Sequence, residues 1–269
     1  MDDSRLESLV KAVLKTPKYR NICVDLVRNV GSRELIKGRN LKEATKATKN
    51  KLHQIGGVYF LGRPTYAAWL KKLEDAKKIG DEAVFRRVCA EVMGYHYSTR
   101  ERLKVLNKFY VSIFSLLPSV HSIIDVACGF NPLSIPWMPL SSKVKYYAYD
   151  VYDDLVGFLN SYMSFVNVEG YAEARDVVHN PPEVKVDLAL FLNTIPCLEK
   201  IEKSAGLKVL EGTNADFLAV SFPVRSLSGK EKGMKEFYEA RFSKLTSERK
   251  WPINQLVFED ELVFLVRKT

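Results

Sequence analysis

Three aspartates recur at near-equal intervals in the second half of this 269-residue chain: Asp125, Asp150 and Asp176, spaced 25 and 26 residues apart. Each follows a short apolar or β-rich run. That interval is the length of one strand–helix–strand unit, so the acids would close three neighbouring parallel strands at one edge of a sheet, where ligands bind in doubly wound folds. An acid closing the second strand accepts hydrogen bonds from both hydroxyls of a ribose, which makes Asp150 the candidate ribose ligand. Each aspartate equally suits the cap of a following helix. The loop after Asp125 reads Val126-Ala127-Cys128-Gly129-Phe130-Asn131-Pro132. It is not Gly-x-Gly-x-x-Gly, and Pro132 withdraws a backbone N–H from any pyrophosphate site. The loop argues against a dinucleotide. It admits the methionine portion of S-adenosylmethionine, which carries no phosphate.

Three further segments carry polar groups towards such a site. His96-Tyr97-Ser98-Thr99-Arg100-Glu101-Arg102 opens a helix with a capping-box pattern, and Arg102 is also placed to reach a carboxylate as a bidentate partner. Leu192-Asn193-Thr194 closes the fourth β run, where Asn193 suits either a turn or the reacting centre. Ser221 to Met234 follows the fifth run and carries Arg225, Lys230 and Lys232 with two glycines. A loop of that composition leaving the sheet edge suits contact with a nucleic-acid backbone or target base, and a solvated charged loop is the alternative.

The elements that must position these residues are legible in the apolar spacing. From residue 2 to 117 apolar side chains recur at three and four, as in Leu6, Leu9, Val10, Val13 and in Leu103, Leu106, Phe109, Tyr110, Ile113. This part reads as helices joined by short turns. From residue 118 the pattern becomes short β runs at 122–127, 144–150, 170–176, 186–192 and 217–222, each followed by a turn or helical stretch. Runs at 255–258 and 261–266, separated only by Glu259-Asp260, form a closing antiparallel hairpin. The fold class is α/β: five parallel strands plus the hairpin, preceded by a helical domain, an arrangement that resembles the Rossmann-like class I methyltransferase sheet.

Charge divides the chain in the same way. Residues 1–116 hold 24 basic against 12 acidic side chains, a net +12, whereas residues 117–269 hold 17 against 20. A basic region of that size suits a polyanionic partner, and solvated helix faces are the plainer reading. The two expected domains are therefore 1–116, basic, helical and suited to a polyanionic partner, and 117–269, cofactor-binding. Four dispersed cysteines, none in a Cys-x-x-Cys pair, suit a reducing compartment and argue against a zinc site. No long apolar run or signal-peptide pattern is present, so the expected location is the cytoplasm.

The motifs together resemble the 16S ribosomal RNA guanine-N7 methyltransferases of aminoglycoside resistance. The resemblance runs through Lys18-Tyr19, Lys51-Leu52-His53-Gln54-Ile55, the His96 to Arg102 run, Asp125 to Leu133, Ser221 to Met234 and Glu261-Leu262-Val263. It implies S-adenosylmethionine as cofactor, with His96, Tyr97, Ser98 and Arg102 at its methionine end and Ala127 and Gly129 in the first loop. Asp150 would bind the ribose, Asp176 and Val177 the adenine, and Leu192 and Asn193 would complete the cofactor set. Asn193 stands where relatives commonly have Lys. Phe222, Arg225, Lys230, Lys232 and Met234 would meet the RNA, with Phe222 or another aromatic near the loop stacking on the target base. The resemblance further implies the RNA of the assembled 30S subunit as partner, docked by residues 1–116, a monomer, no metal, and no general base, because guanine N7 carries a free lone pair. An adenine-N1 enzyme and a non-catalytic 30S-binding protein are the competing readings.

Overall fold

The computed structural model describes residues 3–57, 59–224 and 233–268. Three helices come first: α1 (Asp3–Leu14), α2 (Val24–Ile36) and α3 (Leu41–Leu52). Leu6, Leu9, Val10 and Val13 form the apolar stripe of α1 and pack with Leu26, Val27 and Val30 of α2 and Ala44 and Leu52 of α3. Asn40 starts α3 through a capping box in which its side chain accepts from the Glu43 N–H and Glu43 reaches back to the Asn40 N–H. A π-helical turn, His53–Gly57, ends this unit.

Four helices follow: α4 (Tyr66–Lys78), α5 (Glu82–Met93), α6 (Tyr97–Arg102) and α7 (Leu106–Phe114). Asp81 caps α5 by accepting from the N–H groups of Ala83 and Val84. Their apolar faces do not form a separate core. Trp69, Leu73, Phe85, Met93, Phe109 and Ile113 share one cluster with Ile123, Tyr146, Leu188 and Leu190 of the sheet. Charge changes near Leu116, but the apolar cores divide earlier, between the π-turn and α4.

The sheet holds β1 (Ser122–Val126), β2 (Lys145–Asp150), β3 (Glu169–Ala174), β4 (Val186–Leu192), β5 (Ala215–Pro223), β6 (Ile253–Val257) and β7 (Glu261–Arg267) in the order β3-β2-β1-β4-β5-β7-β6. The first five strands are parallel, and β7 pairs antiparallel with both β5 and β6. This is the expected sheet with its closing hairpin. Helices α8 (Asp153–Phe165), α9 (Ile195–Ile201), α10 (Ala205–Gly212) and α11 (Met234–Thr246) cover it. β4 is buried along nearly its whole length, as a strand covered on both faces must be. The order reverses between β1 and β4, which opens a crevice at their carboxyl ends.

Backbone bonds stitch α1–α3 to that edge. The Cys23 N–H donates to the Val151 carbonyl at 2.8 Å and the Asp153 N–H to the Asn21 carbonyl at 2.7 Å. The first helical unit therefore leans on the loop leaving β2.

Candidate active site

A cleft opens at the carboxyl edge of the sheet. Its floor comes from strand ends: Ala127 after β1, Tyr149 and Asp150 on β2, Arg175 to Val177 after β3, and Leu192 to Thr194 after β4. Its walls come from the helical part, through Leu26, Ile55, Gly56, Tyr59, Phe60, His96 and Ser98. Ala127 and Asn193, at the ends of the two strands that flank the topological switch, both adopt left-handed backbone, with φ of 52° and 58°. Non-glycine residues hold that conformation at a small energetic cost, and such residues concentrate at functional sites.

Asp150 ends β2 with its Oδ2 accepting from the Gly129 N–H at 2.9 Å and its Oδ1 from the Val151 N–H at 2.7 Å. Each carboxylate oxygen keeps capacity for a further donor. Burial pushes its carboxyl above the usual range, and the backbone N–H groups oppose that shift. Gly129 is held at φ 51°, and a Cβ there would lie 2.8 Å from the His96 ring, so only glycine allows this approach. Asp176 lies two residues beyond β3 rather than on it. The Arg175 N–H still bonds the Asp150 carbonyl, after which Asp176 turns inward and accepts from Asn29 Nδ2 at 2.8 Å and from the Val178 N–H at 3.2 Å. His179 Nδ1 lies 2.6 Å from the same carboxylate.

His96 is enclosed by aromatic rings, with Tyr59 stacked at 5.9 Å and Phe60 and Phe130 edge-on. Burial first, and the Arg102 charge second, lower it to about 4, so it is a neutral imidazole at physiological pH. The Ser98 hydroxyl sits 3.4 Å from its Nδ1. Asp125 lies below the cleft, accepting from Asn131 Nδ2 at 2.9 Å and the Tyr146 hydroxyl at 2.7 Å. Burial raises it to about 6.

The fold brings His96, Ser98, Ala127, Asp150, Asp176, Val177, Leu192 and Asn193 to one cleft. Tyr97, Gly129 and Arg102 do not line it. Gly129 acts from behind through its N–H, and Tyr97 pairs with Glu101. Arg102 corrects an expectation: the guanidinium is 1% exposed and its bidentate face is taken by Glu261, with Nε–Oε2 at 2.9 Å and Nη2–Oε1 at 2.7 Å. Its Nη1 donates to Asn131 Oδ1 at 3.1 Å. Arg102 thus locks α6 to β7, which relieves the desolvation of both charges.

A second correction concerns Phe222. Its side chain is fully buried in β5, stacked on Tyr238 at 4.8 Å and packed against Phe242 and Phe264. A ring held in the core between sheet and α11 has no face left for a base. Met234 opens α11 half-buried, and Arg225, Lys230 and Lys232 lie outside the described residues. Among the described residues no cluster of three metal-ligating side chains occurs, and no helix is long and apolar enough to cross a membrane.

Several lining residues were not singled out from sequence. Tyr149 was detectable as the neighbour of Asp150. Tyr59, Tyr152 and Cys197 carried no local signal, since tertiary packing alone brings the Cys197 thiol to 2.9 Å from the Tyr59 hydroxyl. Gly56 had a partial signal in the Gly56-Gly57 pair; a Cβ there would lie 2.9 Å from the Tyr152 ring.

Comparison with known proteins gives the chain full-length relatives. The chain is 33% identical over 268 residues to a 16S rRNA (guanine(1405)-N(7))-methyltransferase of Micromonospora echinospora, covering 99% of this chain and 98% of that one. Among solved structures it is similar to the 16S rRNA methyltransferase RmtF in complex with S-adenosyl-L-homocysteine, with a TM-score of 0.84 and 27% identity over the full length of both chains. It is also similar to the 16S rRNA methylase RmtB, with a TM-score of 0.79 and 25% identity over 98% of each. The model of the ribosomal RNA methyltransferase family FmrO matches residues 15–265, and the chain belongs to that family.

Proposed function

We propose that this chain transfers a methyl group from S-adenosylmethionine to N7 of guanine 1405 in 16S rRNA, as its Micromonospora relative is named for doing. What carries this reading, beyond the full-length similarity, is the order of groups along the sheet edge. Asp176 and Val177, Asp150, and then Ala127 with His96 and Ser98 succeed one another across β3, β2 and β1. That order suits an adenine, a ribose and an amino-acid end in one extended cofactor.

The residues present fit that group. Asp150, with its backbone donors already fixed, accepts from the ribose hydroxyls. Asp176 and Val177 meet the adenine edge, while Leu26, Leu198 and Ile201 supply apolar contact for its faces. His96, neutral at physiological pH, presents an uncharged ring beside the methionine end and does not repel a sulfonium. When bound, the cofactor supplies an electrophilic methyl group. Guanine N7 needs no proton removed before attack, so the chain's task is alignment and exclusion of water rather than acid–base chemistry.

The basic amino-terminal region would dock on the assembled 30S subunit, with the protein acting as a cytoplasmic monomer. Arg225, Lys230, Lys232 and Met234, which follow β5 in the sequence, would meet the RNA. Labelled methyl transfer to purified 30S subunits tests the reading, with the base located by borohydride–aniline cleavage. Incorporation at one guanine, 1405, is expected, with cells resisting gentamicin and kanamycin but not neomycin or apramycin. Modification of an adenine, or none despite 30S binding, would overturn it.

A further inference from the structure

Three elements wall the end of the cleft assigned to the adenine: α2 through Leu26, the turn after β3 through Asp176 and Val177, and α9 through Leu198 and Ile201. Leu26 belongs to the core of α1–α3, whereas Val177 and Leu198 belong to a core of the sheet. Neither core alone sets the gap between these walls. A flat purine gains contact on both faces only if the walls are held at its thickness, and walls that must be ordered on binding cost affinity.

One side chain outside the cleft reaches all three elements. Arg33 follows Leu26 by two turns of α2, on the same face. Its Nη1 donates to the Ile201 carbonyl at 3.0 Å, at the end of α9, and its Nη2 donates to His179 Nε2 at 2.9 Å and pairs with Glu202. His179 passes the contact on, with Nδ1 donating to Asp176 Oδ2 at 2.6 Å. A guanidinium only donates and a carboxylate only accepts, so the ring holds its proton on Nδ1 and offers Nε2 to Arg33. Asp176 in turn closes the turn that carries Val177. Its Oδ1 accepts from the Val178 N–H at 3.2 Å and its carbonyl from the Asn180 N–H at 2.8 Å.

We propose that Arg33, acting through His179 and the end of α9, is a positioning residue for the cofactor that holds the three walls at the spacing of an adenine, an assignment that rests on the reading of Asp176 and Val177 as the adenine end. The bonds it makes are charge-assisted and reach groups fixed in the backbone, so they hold the walls before the cofactor arrives. Such preorganisation shows as cofactor affinity. The adenine is remote from the sulfonium and is gripped alike before and during methyl transfer. Its binding is therefore uniform and leaves the rate at saturation untouched.

The Arg33 side chain is 36% exposed, so Arg33→Ala leaves both cores intact. It should weaken S-adenosylhomocysteine binding by about tenfold in calorimetry, the worth of one such hydrogen bond. Single-turnover transfer to 30S subunits, with cofactor and subunits both saturating, should stay within about twofold of wild type. His179→Ala should weaken binding by about threefold, and the double variant should match Arg33→Ala to within about twofold, because the two side chains form one chain of bonds. Wild-type affinity in Arg33→Ala overturns the assignment, as do losses that multiply in the double variant or a rate that falls as far as the affinity. Val177→Ala is the control for the adenine end, since it removes a direct contact and should weaken binding by about threefold. Wild-type affinity there would withdraw the adenine from this turn and the role of Arg33 with it. Weakened binding in Val177→Ala beside wild-type binding in Arg33→Ala would overturn the role of Arg33 alone.

Discussion

The two groups of helices ahead of the sheet differ in what they are built on. α4–α7 share their core with the sheet, through Phe109, Ile113, Ile123 and Leu188, and Arg102 ties them to β7 by a buried ion pair. α1–α3 keep a core of their own, and they meet the rest along a seam that is apolar at Val151, Tyr152, Ala174 and Ile201 and polar elsewhere: Asn29 on Asp176, Arg33 on Glu202, and the backbone bonds of Cys23 and Asp153. Both groups contribute walls to the same cleft. The comparison teaches that the cleft is half foundation and half docked cover, so its two sides should respond differently to damage.

The largest effect should come from the foundation. Arg102→Ala strands Glu261 as a buried charge and should lower stability by about 3–5 kcal/mol. A single cooperative melt displaced to lower temperature, with cofactor binding lost at the same denaturant concentration, is the outcome to look for. A variant that melts like wild type would show that this pair does not hold α6 to the sheet.

Leu9→Ala strikes the other core. Leu9 is fully buried against Gly31, and its truncation should destabilise α1–α3 by about 3 kcal/mol. Amide exchange should quicken across α1–α3 and leave β1 and β4 protected. Equal loss of protection in both regions would mean the two cores unfold as one.

A pH experiment probes the foundation alone. Burial raises Asp125 to about 6 and lowers His96 to about 4. On acidification through that window the folded state takes up the Asp125 proton first, which adds stability, whereas the unfolded state takes up the histidine proton first, which removes it. The two contributions oppose each other. Asp125→Asn removes the aspartate contribution, so between pH 6.5 and 4 this variant should lose about 2 kcal/mol more than wild type in denaturant titrations. Parallel stability–pH curves for the two proteins would contradict the assigned burial.

The smallest effect belongs to the seam. Asn29→Ala removes one donor from Asp176 and should weaken S-adenosylhomocysteine binding by about three- to tenfold, with little change in melting temperature. Calorimetry that finds no change would separate the seam from the adenine end of the cleft.

Much of this arrangement was legible beforehand, for reasons of period and spacing. The strand–helix repeat had to place Asp150 and the loop around Ala127 at one sheet edge, because parallel strands separated by one crossover end side by side. The closing hairpin was equally readable, since two residues cannot carry a crossover. Phe222 was misread because a strand residue beside a candidate loop looks identical from sequence whether it faces the core or the ligand; only the register with β7 and the packing of α11 put it inside. Arg102 was read as a ligand for the same reason. Its true partner stands 159 residues away, and no local pattern announces a contact of that range.

What the sequence by itself determined was the sheet, its order of acidic strand ends and the basic leading region, because these follow from local periodicity and composition. Tertiary structure alone decided which side chains face the cleft: the π-turn that brings Gly56 against Tyr152, the pairing of Cys197 with Tyr59, and the network that leaves the oxygen of Asn193 without a donor. Those are contacts between distant segments, and their geometry exists only once both cores have formed.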